Sequence, residues 1–258
     1  MSINKADFDG KLCFFDIETA LMEVYTHYIG SKVGIYHNQI KQDKKVICIS
    51  YKESGWKEPK HLVWDKGDDT KMLVEFQKIA AKYPVLIGQN GDEFDIKVLN
   101  GIMWMRGLPP FKNITSLDTL KMSRYNMKLS SHKLDYKLQV VRGKNNGKVK
   151  MEMQDWIDVQ NGDKEALDKM VHYCDEDVNG LEDVFWSLLP YVNKLPFHLG
   201  VLQGKDRDSC PQCGDNHITK NGTRPSHVGP KQRWICHACG NDWTDTRLKT
   251  TTDKRFLI

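Results

Sequence analysis

A chain of 258 residues with 40% hydrophobic side chains can build one large domain, or a medium domain and a small one. No apolar run approaches the ~18 residues a membrane helix needs, and the opening Met-Ser-Ile-Asn-Lys-Ala-Asp lacks the apolar core of a secretion signal. The net charge of +4 is unevenly spread: from Tyr191 onward there are eleven Lys/Arg against six Asp, while the first 190 residues hold twenty-seven basic and twenty-eight acidic side chains. The basic excess belongs to the C-terminal part and points to a polyanionic partner there. Of seven cysteines, four form two Cys-x-x-Cys pairs, and Cys13, Cys48 and Cys174 lie in apolar segments as buried free thiols. That usage predicts a reducing, cytoplasmic location with no membrane attachment.

In chain order, Leu12-Cys13-Phe14-Phe15-Asp16-Ile17-Glu18-Thr19 reads as a buried strand with two carboxylates at its end. Residues 20–45 carry aromatic and basic side chains (Tyr25, His27, Tyr36, Lys41) without clear periodicity. Strands are predicted at Val46–Tyr51 and His61–Trp64, and an amphipathic helix at 70–82, where Met72, Leu73, Phe76, Ile79 and Ala80 recur at helical spacing. Val85–Gly88 is a short buried strand, and the next helix begins near Phe94 and ends near Gly107. A fifth strand is predicted at Asn113–Asp118, helices at 119–126 and 131–141, and a polar loop at 143–148. A long helix from Asp163 to Leu189 carries the stripe Leu167, Met170, Val171, Cys174, Val178, Leu181, Phe185 and Leu188. Strands first, then alternating strands and helices, predict an α/β domain with a mixed sheet flanked by helices. The expected organisation is a domain over 1–192, a linker over 193–205 and a small domain over 206–258.

The strand end Asp16-x-Glu18 projects both carboxylates to one face, because alternate residues of a strand share a side. Such a pair fits a divalent cation with oxygen ligands, or a strand running out into a polar loop. Asp95 sits at a helix start, where acidic residues also serve as caps. Asp177 follows Tyr173 by one helical turn, and the two share a face beside the apolar stripe; Asp175 and Glu176 read as solvated. Asp118 fits a supporting role or a turn cap, and Asn90 a nucleotide contact or a bond within its own loop. Lys133, Lys137, Arg142, Lys144, Lys148 and Lys150 read equally as a nucleic-acid path or as ordinary surface.

Phe15-Asp16-Ile17-Glu18-Thr19, Asn90-Gly-Asp-Glu-Phe-Asp95 and Tyr173-Cys-Asp-Glu-Asp177-Val178, in that order, resemble the DEDD superfamily of 3′-to-5′ exonucleases, which have a ribonuclease H-like fold. The first and third motifs look most like the DEDDy group, including the proofreading domains of family B polymerases. The resemblance covers residues ~10–190. It implies that Asp16, Glu18, Asp95 and Asp177 hold two Mg²⁺ or Mn²⁺ ions around the terminal phosphodiester, with Tyr173 orienting the attacking water. His172-x4-Asp177 also satisfies the spacing of the DEDDh group, but the i,i+4 relation favours Tyr173.

Near the C-terminus, Cys210-Pro-Gln-Cys213-Gly and Cys236-His-Ala-Cys239-Gly are matching knuckles in which Gly permits the turn that aims amides at the thiolates. Four thiolates predict one structural Zn²⁺ in a closed tetrahedral site, with a β-hairpin absorbing the gap between the pairs; His217 and His237 are alternative ligands. The stretch from Lys220 through Arg224, Lys231, Arg233 and Trp234 to Trp243 resembles the zinc ribbons of insertion-sequence transposases. The resemblance implies DNA contact through those basic residues, with Trp234 and Trp243 as stacking groups or as the ribbon's core.

The function expected from these residues together is two-metal 3′-to-5′ hydrolysis of single-stranded nucleic acid, DNA in preference to RNA, releasing nucleoside 5′-monophosphates. The alternatives are a structure-specific ribonuclease H-like endonuclease, an RNA 3′-end exonuclease and a non-catalytic nucleic-acid-binding module. No polymerase motif accompanies the acidic set, so any polymerase, replication or repair partner is expected to act in trans.

Overall fold

The computed structural model describes residues 4–27, 30, 33–112, 114–144, 150–227 and 229–245. The chain divides into two compact units, Asp9–Tyr191, and the described residues from Val192 onward together with those up to Phe8.

The larger unit is built on the strand β1 (Leu12–Thr19). It is followed by a small hairpin of β2 (Glu23–Val24) and β3 (Ile40–Gln42), then by β4 (Val46–Glu53) and β5 (Lys60–Val63). Next come α1 (Thr70–Ala80), β6 (Val85–Gly88), α2 (Asp95–Met105) and β7 (Thr115–Asp118). Four helices close the unit: α3 (Thr119–Asn126), α4 (Leu134–Arg142), α5 (Met153–Gln160) and α6 (Lys164–Leu188). The sheet order is β5-β4-β1-β6-β7. β1 pairs antiparallel with β4 and parallel with β6, so the mixed sheet changes direction at its central strand.

Period-two geometry sorts β1 into two faces. Cys13, Phe15 and Ile17 pack with Met72, Leu73 and Phe76 of α1 and Leu99, Ile102 and Met103 of α2. The opposite face, carrying Phe14, Asp16 and Glu18, looks toward α6: the Phe14 ring meets the Phe185 edge at 5.4 Å. Ile47 and Cys48 of β4 pack there with Met170, Val171 and Cys174 of α6 and Val159 of α5. Helices cover both faces, which explains why β1 reads as a near-continuous apolar run. Phe14 and Phe15 are both core residues; truncating either to Ala removes about 3–5 kcal/mol.

The strands and long helices stand where periodicity put them. The β2–β3 hairpin and α5 are additions to the expectation. The hairpin strands are two and three residues long, too short for a periodic signal, and α5 buries only Val159, which leaves no apolar stripe to read. Lys148 and most of the 143–148 loop lie outside the described residues.

In the smaller unit, α7 (Leu199–Leu202) falls within the segment expected as linker. It is followed by β8 (Ile218–Arg224), β9 (Lys231–Cys236) and β10 (Asp242–Thr244), which form an antiparallel sheet in the order β10-β9-β8. The β8–β9 hairpin spans the gap between the two cysteine pairs. Among the described residues, no helix is long and apolar enough to cross a membrane.

Candidate active site and cysteine cluster

Asp16 and Glu18 leave β1 on the face toward α6, and their strand partners on β4 are Ser50 and Cys48. Asp95 is the first residue of α2. The approach to it is a tight loop: Asn90 has φ +65°, and its N–H donates to Asp118 Oδ1 at 2.8 Å. The same oxygen caps α3 by accepting from the Leu120 N–H at 2.8 Å. Asp118 thus joins the end of β7 to the loop that delivers Asp95, the second of the roles read for it being literally a cap. Gly88 and Gly91 approach so closely that a Cβ on either would lie 3.1 or 3.2 Å from the other's Cα.

Three neighbouring carboxylates act on Asp16 here. Burial first, then the charges of Asp95, Glu18 and Asp177, push the Asp16 carboxyl well above the usual carboxylate range. Asp95, only 4% exposed, is pushed up to about 7 by burial, against N–H groups of its own backbone and of Ile17 that favour the anion; the charge of Asp118 adds to the rise. Asp177 is 8% exposed and reaches the cluster from α6. Buried and half-buried carboxylates whose charges together raise the pKa of Asp16 are a donor set that a hard divalent cation resolves, so the residues fit Mg²⁺ or Mn²⁺. No three of these carboxylates are gathered within 4.8 Å, a compactness reached among the described residues only by the four cysteines. Ligands of two adjacent ions need more spread than ligands of one.

Tyr173 lies half-buried beside this set and hydrogen-bonds Asp177. Burial, then the charges of Asp177 and Glu18, hold its hydroxyl well above the usual phenol range, so it stays a neutral donor. His172 is exposed and lines a groove with His61 and Asp175 instead. Cys174 packs under the carboxylates, its Sγ 3.6 Å from the Asp16 carbonyl and 3.7 Å from Asp16 Oδ2.

Two expectations are corrected. Asp175 is not simply solvated: it accepts from Ser50 Oγ at 2.6 Å and faces His61 Nδ1 at 3.1 Å. The helix stripe hid this because both partners come from distant strands. Lys137 is not a surface cation but a 3% exposed side chain. Its Nζ donates to Gln89 Oε1 at 2.5 Å and to the Thr119 carbonyl at 3.2 Å. Burial lowers it to about 8, although the charge of Asp118 pulls the other way. Gln89, unmarked in the sequence, is the hub of that network: it also accepts from Thr119 Oγ1 at 2.7 Å and donates to the His132 carbonyl at 3.0 Å.

In the smaller unit, Cys210, Cys213, Cys236 and Cys239 bring their sulfurs within 4.8 Å of one another. Cys210 and Cys239 are 3.7 Å apart and Cys213 and Cys236 3.6 Å, well beyond the ~2.05 Å of a disulfide. A tetrahedron with Zn–S near 2.3 Å has edges of about 3.8 Å, so the set fits zinc. Gly214 and Gly240 adopt φ +72° and +74°, the turns that aim backbone N–H groups at sulfur, as Gln212 N does toward Cys210 Sγ at 3.4 Å. His217 and His237 stack at 4.7 Å outside this cluster. Lys220 and Arg224 are exposed and Lys231 half-buried, whereas the Arg233 guanidinium is engaged by Asp242. Trp234 sits opposite both Trp243 and Lys220 in strand register, which puts all three on one face of the sheet.

No curated protein matches the chain in sequence. A structure of the family B DNA polymerase from the hyperthermophilic archaeon Pyrobaculum calidifontis is similar to it with a TM-score of 0.52 and 16% identity, over 76% of this chain and 27% of that one. At that identity the likeness concerns the fold, not the activity. A family model described as the RNase_H superfamily matches residues 13–188, from the second residue of β1 to the last of α6. The chain belongs to the RNase_H superfamily.

Proposed function

We propose that the chain is a metal-dependent 3′-to-5′ exonuclease of single-stranded nucleic acid, DNA in preference to RNA, that releases nucleoside 5′-monophosphates. The observation that carries this reading is the set Asp16, Glu18, Asp95 and Asp177, contributed by a strand, a helix start and a late helix, with Tyr173 hydrogen-bonded to Asp177 beside it. In this reading the four carboxylates hold two Mg²⁺ or Mn²⁺ ions, which when bound lower the pKa of the attacking water and stabilise the leaving 3′-oxygen.

The chain's own residues do the positioning. The Ile17 N–H holds the Asp95 carboxylate against β1, and the Asn90 loop, tied to Asp118, fixes where α2 begins. Tyr173 keeps its proton and orients the water as a hydrogen-bonding partner, not as a base. Asn90, at the mouth of that loop, is assigned a contact to the terminal nucleotide. Lys220, Arg224, Lys231 and Arg233 of the cysteine-bearing unit are assigned to nucleic-acid backbone contacts; for Arg233 this requires sharing with Asp242. One Zn²⁺ on the four cysteines is assigned a structural role, and a polymerase or a replication or repair protein is the proposed partner.

The test uses 3′- and 5′-end-labelled DNA and RNA oligonucleotides and a circular single strand, with Mg²⁺ or Mn²⁺. Stepwise shortening from the 3′ end, untouched circles and loss of at least ~10³-fold in Asp16→Ala are expected. Degradation of circles, or undiminished cleavage by Asp16→Ala, would sink the reading.

A further inference from the structure

We propose that the groove between β5 and α6, lined by none of Asp16, Glu18, Asp95 and Asp177, binds a divalent transition-metal ion through the imidazoles of His61 and His172 and the carboxylate of Asp168, with Asp175 orienting His61. The groove encloses about 380 Å³. Its apolar floor is Val63, Leu167 and Val171, and its polar lining is those two imidazoles and two carboxylates, with neither Lys nor Arg. Two carboxylates disfavour an anion. Imidazole ligands favour the zinc, nickel and cobalt class over Mg²⁺ or Ca²⁺, which take oxygen donors.

Part of the set is already oriented. Ser50, fully buried, donates from Oγ to Asp175 Oδ1 at 2.6 Å. Asp175 Oδ2 faces His61 Nδ1 at 3.1 Å. A carboxylate only accepts, so Nδ1 carries the proton and the Nε2 lone pair is left for a ligand. Histidines that bind metals are held by this same carboxylate contact on their second nitrogen. On α6, Asp168 and His172 are four residues apart and His172 and Asp175 three, the spacings that stack side chains along one helix face. The His172 side chain is exposed and makes no side-chain hydrogen bond among the described residues. No three donor atoms of the groove lie within 4.8 Å of one another, so the ion gathers them by rotating the exposed His172 and Asp168 toward the fixed His61–Asp175 pair. The site is independent of the nuclease reading, since none of its ligands belongs to the carboxylate set.

Equilibrium dialysis of the untagged full chain against Ni²⁺, with the ribbon's zinc content measured in the same samples, tests this. One Ni²⁺ equivalent per chain beyond any held by the carboxylate set, lost in both His61→Ala and His172→Ala and retained in Asp16→Ala, is the expected result. Asp175→Asn should weaken that equivalent by about 10-fold or more. Cobalt in place of nickel should give a spectrum of nitrogen and oxygen ligands without thiolate bands. Equal uptake by wild type and the His61→Ala/His172→Ala double variant would overturn the proposal, as would uptake only at millimolar Ni²⁺.

Discussion

His172 and Tyr173 are neighbours on α6, and about 100° of helix rotation separates them. That rotation takes Tyr173 to Asp177, Glu18 and Asp16 and His172 to the β5 groove. Tyr173→Phe should therefore lower kcat about 10- to 100-fold, by loosening the geometry of the attacking water, while His172→Ala stays within about twofold of wild type. Single-turnover kinetics on a labelled oligonucleotide decide it, and the reverse pattern would reassign the water-positioning role. Lys137 offers a second test. Its folded pKa of about 8 lies below the ordinary lysine value, so between about pH 8 and 10.4 the unfolded chain holds more protons than the folded one. Stability gains from this group as pH rises through that window, and below it the folded state bears the cost of a buried ammonium. Urea unfolding at pH 7.5 and 10 should show a gain on the order of 2–3 kcal/mol that Lys137→Met abolishes. An identical pH slope in the variant would refute the buried charge.

At the scale of elements, the turn between β6 and α2 sets the carboxylate geometry. Gly88 and Gly91 nearly touch, and a Cβ on Gly91 would also stand 3.8 Å from Asp95 Oδ2. Gly91→Ala should cost about 1–3 kcal/mol and lower kcat more than KM, because the loop that must shift is the one delivering Asp95. Thermal unfolding with steady-state kinetics checks both halves; unchanged turnover would mean the turn is not coupled to Asp95. Apolar runs made β1 and β6 legible in sequence and a helical stripe made α6 legible, and the motif residues of β1 and α6 were legible with them. The β2–β3 hairpin and α5 were not, because strands of two and three residues and a helix that buries one side chain are stabilised by what they pack against. Gln160 at the end of α5, for example, accepts from the Leu21 N–H at 2.7 Å, across 139 residues of sequence.

For the molecule as a whole, the cysteine-bearing unit presents a different stability problem from the sheet. Its strands are mostly half-buried or exposed, too little apolar burial to hold a fold of that size without help. Metal analysis should find about one zinc per chain. Removing it, or changing Cys236→Ser, should open residues 206–245 to protease while helical circular dichroism from the α1–α6 unit persists. A protease-resistant ribbon without metal would contradict the assignment. The acidic cluster stands in a different setting, on a scaffold covered by α1, α2, α5 and α6.

Sequence alone determined the alternation of strands and helices, the period-two placement of Asp16 and Glu18, the shared helix face of Tyr173 and Asp177, and the matched cysteine knuckles. Each depends on residues within one element or one turn, where spacing dictates direction. Only the tertiary structure decided that Lys137 is buried, that Asp175 is held by Ser50 and His61, that Arg233 is engaged by Asp242, and that Gln89 and Asp118 organise the approach to Asp95. Those outcomes depend on which distant elements meet. A polar side chain's fate is set by the partner that satisfies it, and that partner is named by the fold.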